Sequence, residues 1–198
     1  SVEPTEHANR IQSIGTLYPT IRYEGRMVIN PSDLDALEAY KLATSLIVPR
    51  PIAWVGSRSI DNVDNLAPFS YFMGVSTKPP SIAISVARGK KGALKDTASN
   101  ILERSEFTVS IVSFESARPM VQTGLPFEAT VSEFEAVGIE MVDSEMVDAP
   151  RPACARAAME CRLVHQHDMG TTHLFVGEVV RYYLDDSVVR YDAKGHRL

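Results

Sequence analysis

Between Pro51 and Leu184 the chain sets β-branched and aromatic residues in short runs, or in alternation with polar ones, which is the spacing of strands. Runs at about 51–58, 66–76 and 81–87 are separated by the turn Ile60-Asp61-Asn62-Val63-Asp64 and the pair Pro79-Pro80, predicting a hairpin and a third strand. Glu106 to Ser113 alternates cleanly. Phe107, Val109 and Ile111 fall on one face and Thr108, Ser110 and Val112 on the other, as in a half-buried antiparallel strand. Ala157 to His167 and Thr171 to Leu184 read as two long strands joined at Asp168-Met169-Gly170. Shorter strands are expected around Thr20 to Ile29, Ile139 to Val142 and Ser187 to Tyr191, with a loop at Pro150 and Pro152.

Helices come between these strands. Asn30-Pro31-Ser32 reads as a helix start with Ser32 as N-cap and Asp33 and Asp35 in the first turn. Leu34, Leu37, Tyr40 and Leu42 supply its apolar stripe, and it ends before Pro49. Others are expected at about 97–104, Ala117 to Gln122 and Ser132 to Val137. Strands without strict βαβ alternation predict a mainly β protein, an antiparallel barrel with inserted helices. Residues 1–30 are weakly patterned and read as an arm on the body or on a partner subunit; with no linker-like stretch, 1–198 reads as a single domain.

Composition narrows the classes. An apolar fraction of 44% with 23% charged residues can bury a core, and a formal net charge of -5 argues against nucleic acid as partner. Cys154 and Cys161 match neither a metal knuckle nor a redox pair, which suits reduced thiols in the cytoplasm. No apolar run approaches the ~20 residues that span a bilayer, and the amino terminus has no signal-peptide core, so a soluble protein off the membrane is expected.

Candidate chemistry concentrates in two places. From Asn65 to Phe72 small and hydroxylated residues alternate with aromatics: Ala67, Pro68 and Ser70 let main chain approach a flat ring system, and Trp54, Phe69, Tyr71 and Phe72 can wall it. An ordinary hairpin kinked at Pro68 accounts for the same residues about as well. Arg88 to Thr97 is the concentrated basic stretch and opens a helix, where free N–H groups, lysines and a hydroxyl suit a phosphate. A solvated charged surface is the competing account. His165-x-His167 with His173 has the look of a metal site, but no second cluster completes it, and no GxSxG elbow is present.

Four blocks together, PRPIAWVGSRS, NLAPFSYFMGVSTKPPSIAISV, KDTASNI with EFTVSIV, and THLFVGEV, resemble the flavin-reductase-like, flavoredoxin-type proteins of the FMN-binding split-barrel superfamily. The resemblance covers about residues 40–185. It implies a six-stranded antiparallel split barrel, usually a homodimer, holding FMN, in some members FAD, near the subunit interface. Carried over, Asn65, Leu66, Ala67, Pro68, Phe69 and Ser70 would line the flavin ring and ribityl chain, with Ser85 and Val86 beside them. Lys95, Asp96 and Thr97 would hold the phosphate, with Arg88, Lys91 and Asn100 assisting. His173 would sit at the ring's reactive face, where nicotinamide stacks. The implied activity is NAD(P)H-dependent flavin reduction, with a monooxygenase as recipient; the alternative is a non-catalytic electron carrier. In the first hairpin turn Asp61-Asn62 stands where relatives commonly have glycine, and Asn tolerates the positive φ such a turn needs.

Overall fold

The computed structural model describes residues 21–23 and 25–195. The stretch predicted as one strand over 66–76 is two, β4 (Asp64–Phe69) and β5 (Phe72–Thr77), with only Ser70 and Tyr71 between them. The other strands of the main sheet are β3 (Ala53–Arg58), β6 (Pro80–Ala87), β7 (Glu106–Ile111), β10 (Ala157–Asp168) and β11 (Thr172–Leu184). All pair antiparallel, in the order β4-β3-β7-β10-β11-β6-β5. β4 and β5 are therefore the two outer strands, and a two-residue link can join them only if the sheet curls until its edges meet. The result is a split barrel. It has seven strands where six were expected, the extra one coming from the break at Ser70.

Inward-facing side chains fill the barrel. Ala53 and Val55 of β3, Ile82, Ile84 and Val86 of β6, Phe107 and Val109 of β7, Cys161 of β10 and Phe175 and Val179 of β11 form one cluster. Helix α2 (Asp96–Arg104) adds Ala98 and Ile101 to it, so the helix packs into the barrel. Trp54 and Leu66, on the opposite faces of β3 and β4, pack with Phe134 in a second cluster. That cluster lies under α3 (Ala117–Gln122) and α4 (Glu133–Val137), from which Met120 and Phe134 come. Helices thus cover the outer face of β3, so β7 beside it is buried on both sides from Phe107 through Ser110, not half-buried as its alternation predicts.

Smaller departures have local causes. The predicted loop at Pro150 and Pro152 includes β9 (Arg151–Pro152), which pairs with β8 (Met141–Val142). Ser187 to Tyr191 is not a strand; a 3-10 turn, Asp186–Val188, stands there because the Asp185 side chain accepts from the Ser187 N–H at 2.8 Å. Asn62 has φ 64, so the first hairpin turn closes on asparagine as expected.

The chain divides into two compact units after Pro49, so the amino-terminal one extends past the predicted arm of 1–30, much of which lies outside the described residues. Within that unit β1 (Ile21–Tyr23) and β2 (Arg26–Val28) form a hairpin, and α1 (Ala36–Leu46) follows a 3-10 turn over Pro31–Asp33. Asp35, not Ser32, caps α1: it accepts from the Glu38 N–H at 2.8 Å while Glu38 accepts from the Asp35 N–H at 3.0 Å. Ser32 falls inside the 3-10 turn, because the chain is helical there before the α-helix begins.

Among the described glycines, Gly56 leaves the least room for a side chain. A Cβ there would fall within contact distance of the Pro150 carbonyl oxygen, which already accepts from Thr108 Oγ1 at 2.6 Å. Main chain cannot swing aside as a side chain can. Gly56→Ala is therefore expected to cost about 3 kcal/mol, the upper end for overpacking, read as a shift in the urea midpoint at unchanged slope.

Candidate functional site

Where β4 and α2 meet, a cavity of about 680 Å³ opens. Asn65, Ala67, Pro68 and Phe69 of β4 line it on one side, and Lys95 with Asp96 and Thr97 at the start of α2 on another. The two stretches singled out in the sequence are linked by a side-chain bond between residues 32 apart in the chain: Asn65 Nδ2 donates to Thr97 Oγ1 at 3.1 Å. Both residues are buried.

The α2 end of the cavity has the chemistry of an anion site. Lys95 precedes the helix in extended conformation and no side chain caps it. The first amides of a helix have no carbonyl partner within it, and the dipole there is positive. Thr97 Oγ1 accepts from Asn65 and so keeps its own proton for a ligand. Lys90 and Lys95 line the cavity, so the second cation is Lys90 and not Lys91. Lys91 sits exposed at φ 55 in a 3-10 turn, Lys90–Gly92. Arg88 does not reach the cavity lining either: it pairs with Asp168 at 2.5 Å and donates to the Gly92 carbonyl at 3.0 Å, holding the loop that carries the lysines. The Gly170 N–H, with Arg88 beside it, keeps the Asp168 carboxyl below its usual range.

Other expected residues are placed differently. The Leu66 side chain packs against Trp54 and Phe134, and Val86 lies in the barrel core. Ser70 and Ser85 stand outside the lining; Ser70 Oγ accepts from Arg50 at 3.4 Å, and the Ser85 N–H donates to the Tyr71 carbonyl at 2.9 Å. Of the four expected wall aromatics only Phe69 borders the cavity. Asn100 is buried, donates to Ser57 Oγ at 3.1 Å, and faces a smaller neighbouring cavity. His173 is absent from the lining. The residue is 5% exposed; its ring stacks on Phe175 with centroids 4.6 Å apart, bonds Gln166 Oε1 through Nε2, and leaves a buried Nδ1 without a hydrogen-bond partner. The inward position on β11 puts it with Phe175, opposite in orientation to exposed His165 and His167. Among the described residues no three His, Cys, Asp or Glu side chains converge as metal ligands.

The remaining wall was not foreseen. Thr123 to Glu128, the loop after α3, faces β4 across the cavity, with Gly124 against the Pro68 ring. Trp54 anchors it from outside the barrel: Nε1 donates to Thr123 Oγ1 at 2.9 Å, and that hydroxyl donates to the Met120 carbonyl at 2.8 Å. The available sequence signal was Thr-Gly-Leu-Pro-Phe, turn formers beside apolar residues that no strand or helix absorbs. Glu133, also in the wall, accepts from the Leu66 N–H at 2.9 Å. Its burial raises the carboxyl pKa, the Leu66 N–H opposes that rise, and nearby Asp96 adds to it.

Comparison with known proteins gives a consistent picture. Residues 45–195 match the family described as flavin reductase like domain. An uncharacterised protein of Aquifex aeolicus is 39% identical over 162 residues, 82% of each chain. The fold is similar to nitrilotriacetate monooxygenase component B from Bacillus cereus, with TM-score 0.80, 32% identity and 88% of both chains covered. It is similar also to the 2-nitrobenzoate 2-nitroreductase of Pseudomonas fluorescens, with TM-score 0.76 and 34% identity over 86% of this chain and 82% of that one. For flavoredoxin of Desulfovibrio vulgaris the TM-score is 0.65 at 29% identity, over 77% and 78% of the two chains.

Glu133 gives the cavity wall a testable electrostatic signature. Its folded pKa is raised, so its charged form is disfavoured in the fold, and the stability it contributes is lost as pH rises through that pKa. Glu133→Gln keeps an acceptor for Leu66 and removes the charge. The variant should match the parent in acid and exceed it increasingly toward neutral pH, measured by urea unfolding across that range. Glu133→Ala strands the buried Leu66 N–H and should lose about 1–3 kcal/mol.

Proposed function

The chain belongs to the flavin reductase-like domain family, and on that premise we propose that it binds FMN in the 680 Å³ cavity and reduces it with NAD(P)H. One observation carries the reading. A cleft lined by Asn65, Ala67, Pro68 and Phe69 and by Leu125 to Phe127 runs into the start of α2, where Lys90, Lys95 and Thr97 also line it. Neither half is specific alone, but a ligand that is a flat ring at one end and a phosphate at the other uses both.

Bound there, the flavin supplies the hydride-accepting chemistry. The protein's share is placement. The α2 amides, Thr97 Oγ1 and the two lysines would hold the anionic end, and β4 and the Thr123–Glu128 loop, which face each other across the cavity, would flank the ring. Ala67 and Gly124 present little side chain, so main-chain groups can come close to the ring's polar edge. Enclosure between these walls would keep water off a bound ring and limit the orientations open to it.

The named relatives suggest the setting. A monooxygenase component is among the similar structures, which supports a reductase handing reduced flavin to a separate oxygenase. Similarity to a flavoredoxin supports a second reading, an electron carrier that holds flavin without oxidising NAD(P)H. A homodimer is the assembly proposed, supported by Met73 and Val75, apolar and 62% and 50% exposed on the edge strand β5. Two free cysteines suit the cytoplasm as its compartment.

Titration with FMN, followed by absorbance and fluorescence, should give a saturable complex. Lys95→Ala and Thr97→Ala should each weaken it by about 1–3 kcal/mol, as charge-assisted bonds to phosphate would; unchanged affinity in both removes the phosphate assignment. Under anaerobic conditions the bound flavin should bleach on adding NADH or NADPH. Bleaching by dithionite alone would select the carrier reading.

A further inference from the structure

One acidic side chain in the wall of the large cavity is buried without a cation. Glu133, the first residue of α4, lines the space while only 7% exposed. Its Oε2 accepts from the Leu66 N–H at 2.9 Å, and among the described residues no lysine, arginine or histidine pairs with it. An unpaired carboxylate out of water is costly, whereas the neutral acid is far less so. We propose that Glu133 takes up one proton from solvent when a flat ring enters the cavity, and holds that ring as a neutral acid by donating a hydrogen bond to an acceptor on its edge. The proposal rests on the flavin assignment of this cavity.

The charges around Glu133 come from each wall. α2 presents Asp96, a like charge; exposed Lys90 and Lys95 stand before that helix, and the loop after α3 presents exposed Glu128. β4 lines the cavity with Asn65, Ala67, Pro68 and Phe69, so it brings no charged side chain and meets the carboxyl only with the Leu66 N–H. Burial is the main reason the carboxyl titrates above its usual range; the Leu66 N–H and Glu133's own N–H pull it down, and Asp96 pushes it up again. A ring that fills the cavity removes water from the carboxyl and adds no cation. The force that already favours the neutral acid in the free protein therefore acts more strongly in the complex.

Protonation changes what this wall recognises. An ionised carboxylate only accepts hydrogen bonds, while the acid donates through its O–H. With Oε2 holding the Leu66 N–H, Oε1 is left to carry the proton. A carboxylic acid kept neutral by its apolar surroundings is an established way to present a donor at neutral pH. The wall thereby selects rings with an acceptor at this position over rings with a donor there, and it ties affinity to pH.

Calorimetric titration with FMN in two buffers of different ionisation enthalpy counts the protons taken up. The phosphate of FMN titrates in part of the range, but its share cancels between the parent and Glu133→Gln, which keeps an acceptor for the Leu66 N–H. Across about pH 5 to 8, the parent's excess uptake should pass through a maximum of about 0.5–1 proton per FMN, and its Kd should rise by up to about tenfold per pH unit relative to the variant's. Asp96→Asn removes the like charge, so uptake should persist there and shift to lower pH. Riboflavin, which lacks the phosphate, tests the parent without any variant and should also bind with proton uptake. Equal uptake by the parent and Glu133→Gln, or riboflavin binding with no uptake, overturns the proposal and leaves the flavin reading standing. Failure of every form to bind FMN removes the flavin reading and this one with it.

Discussion

Two residues, Ser70 and Tyr71, join the outermost strands of a seven-stranded sheet, and everything about the site follows from that short link. A flat or gently twisted sheet would hold its edge strands some 30 Å apart, at about 4.8 Å per strand step. Two residues span less than 10 Å. The sheet must therefore roll up, and β4 is brought to the seam with its main chain presented to the cavity. Closure also explains the central packing: once rolled, the inward faces of β3, β6, β7 and β11 have only one another and α2 to bury against.

The cavity is then held open by buried polar bonds. Asn65 to Thr97 ties β4 to α2, Asn100 to Ser57 ties α2 to β3, Trp54 to Thr123 ties β3 to the loop across the cavity, and Glu133 to Leu66 ties α4 to β4. Each contributes only about 1 kcal/mol net, but leaving a partner unmatched in the interior costs more. Such bonds specify geometry more than they add stability, and each wall of the cavity is met by one of them. The Thr97 hydroxyl is placed by one of these bonds with its proton still free, which is how a structural contact prepares a binding group.

Much of this was legible. Long alternating or β-rich runs gave the strands because their period matches the pleat, and local charge and helix-end physics singled out the lysines and the threonine that line the cavity at the start of α2. What went astray turned on neighbours far along the chain. β7 alternates like a half-buried strand, yet Thr108 and Ser110 are buried because α3, α4 and the Pro150 segment cover that side; Thr108 meets the cost by donating to the Pro150 carbonyl. Arg88 looked like a phosphate ligand because it is basic and near α2, but Asp168, 80 residues away, lies within reach. Ser32 and Asp35 were equivalent candidates for a cap, and only the reciprocal bond to Glu38 distinguishes them.

The sequence by itself determined most of the long strands, the antiparallel class and the family, since propensity and periodicity act over a few residues and four motif blocks together identify the family. Tertiary structure alone decided the break at Ser70, the presence of Lys90 and not Lys91 on the cavity lining, the inward turn of His173 and the Thr123–Glu128 wall. These depend on which surfaces closure brings together, and contacts between residues dozens of positions apart leave no periodic trace in the chain.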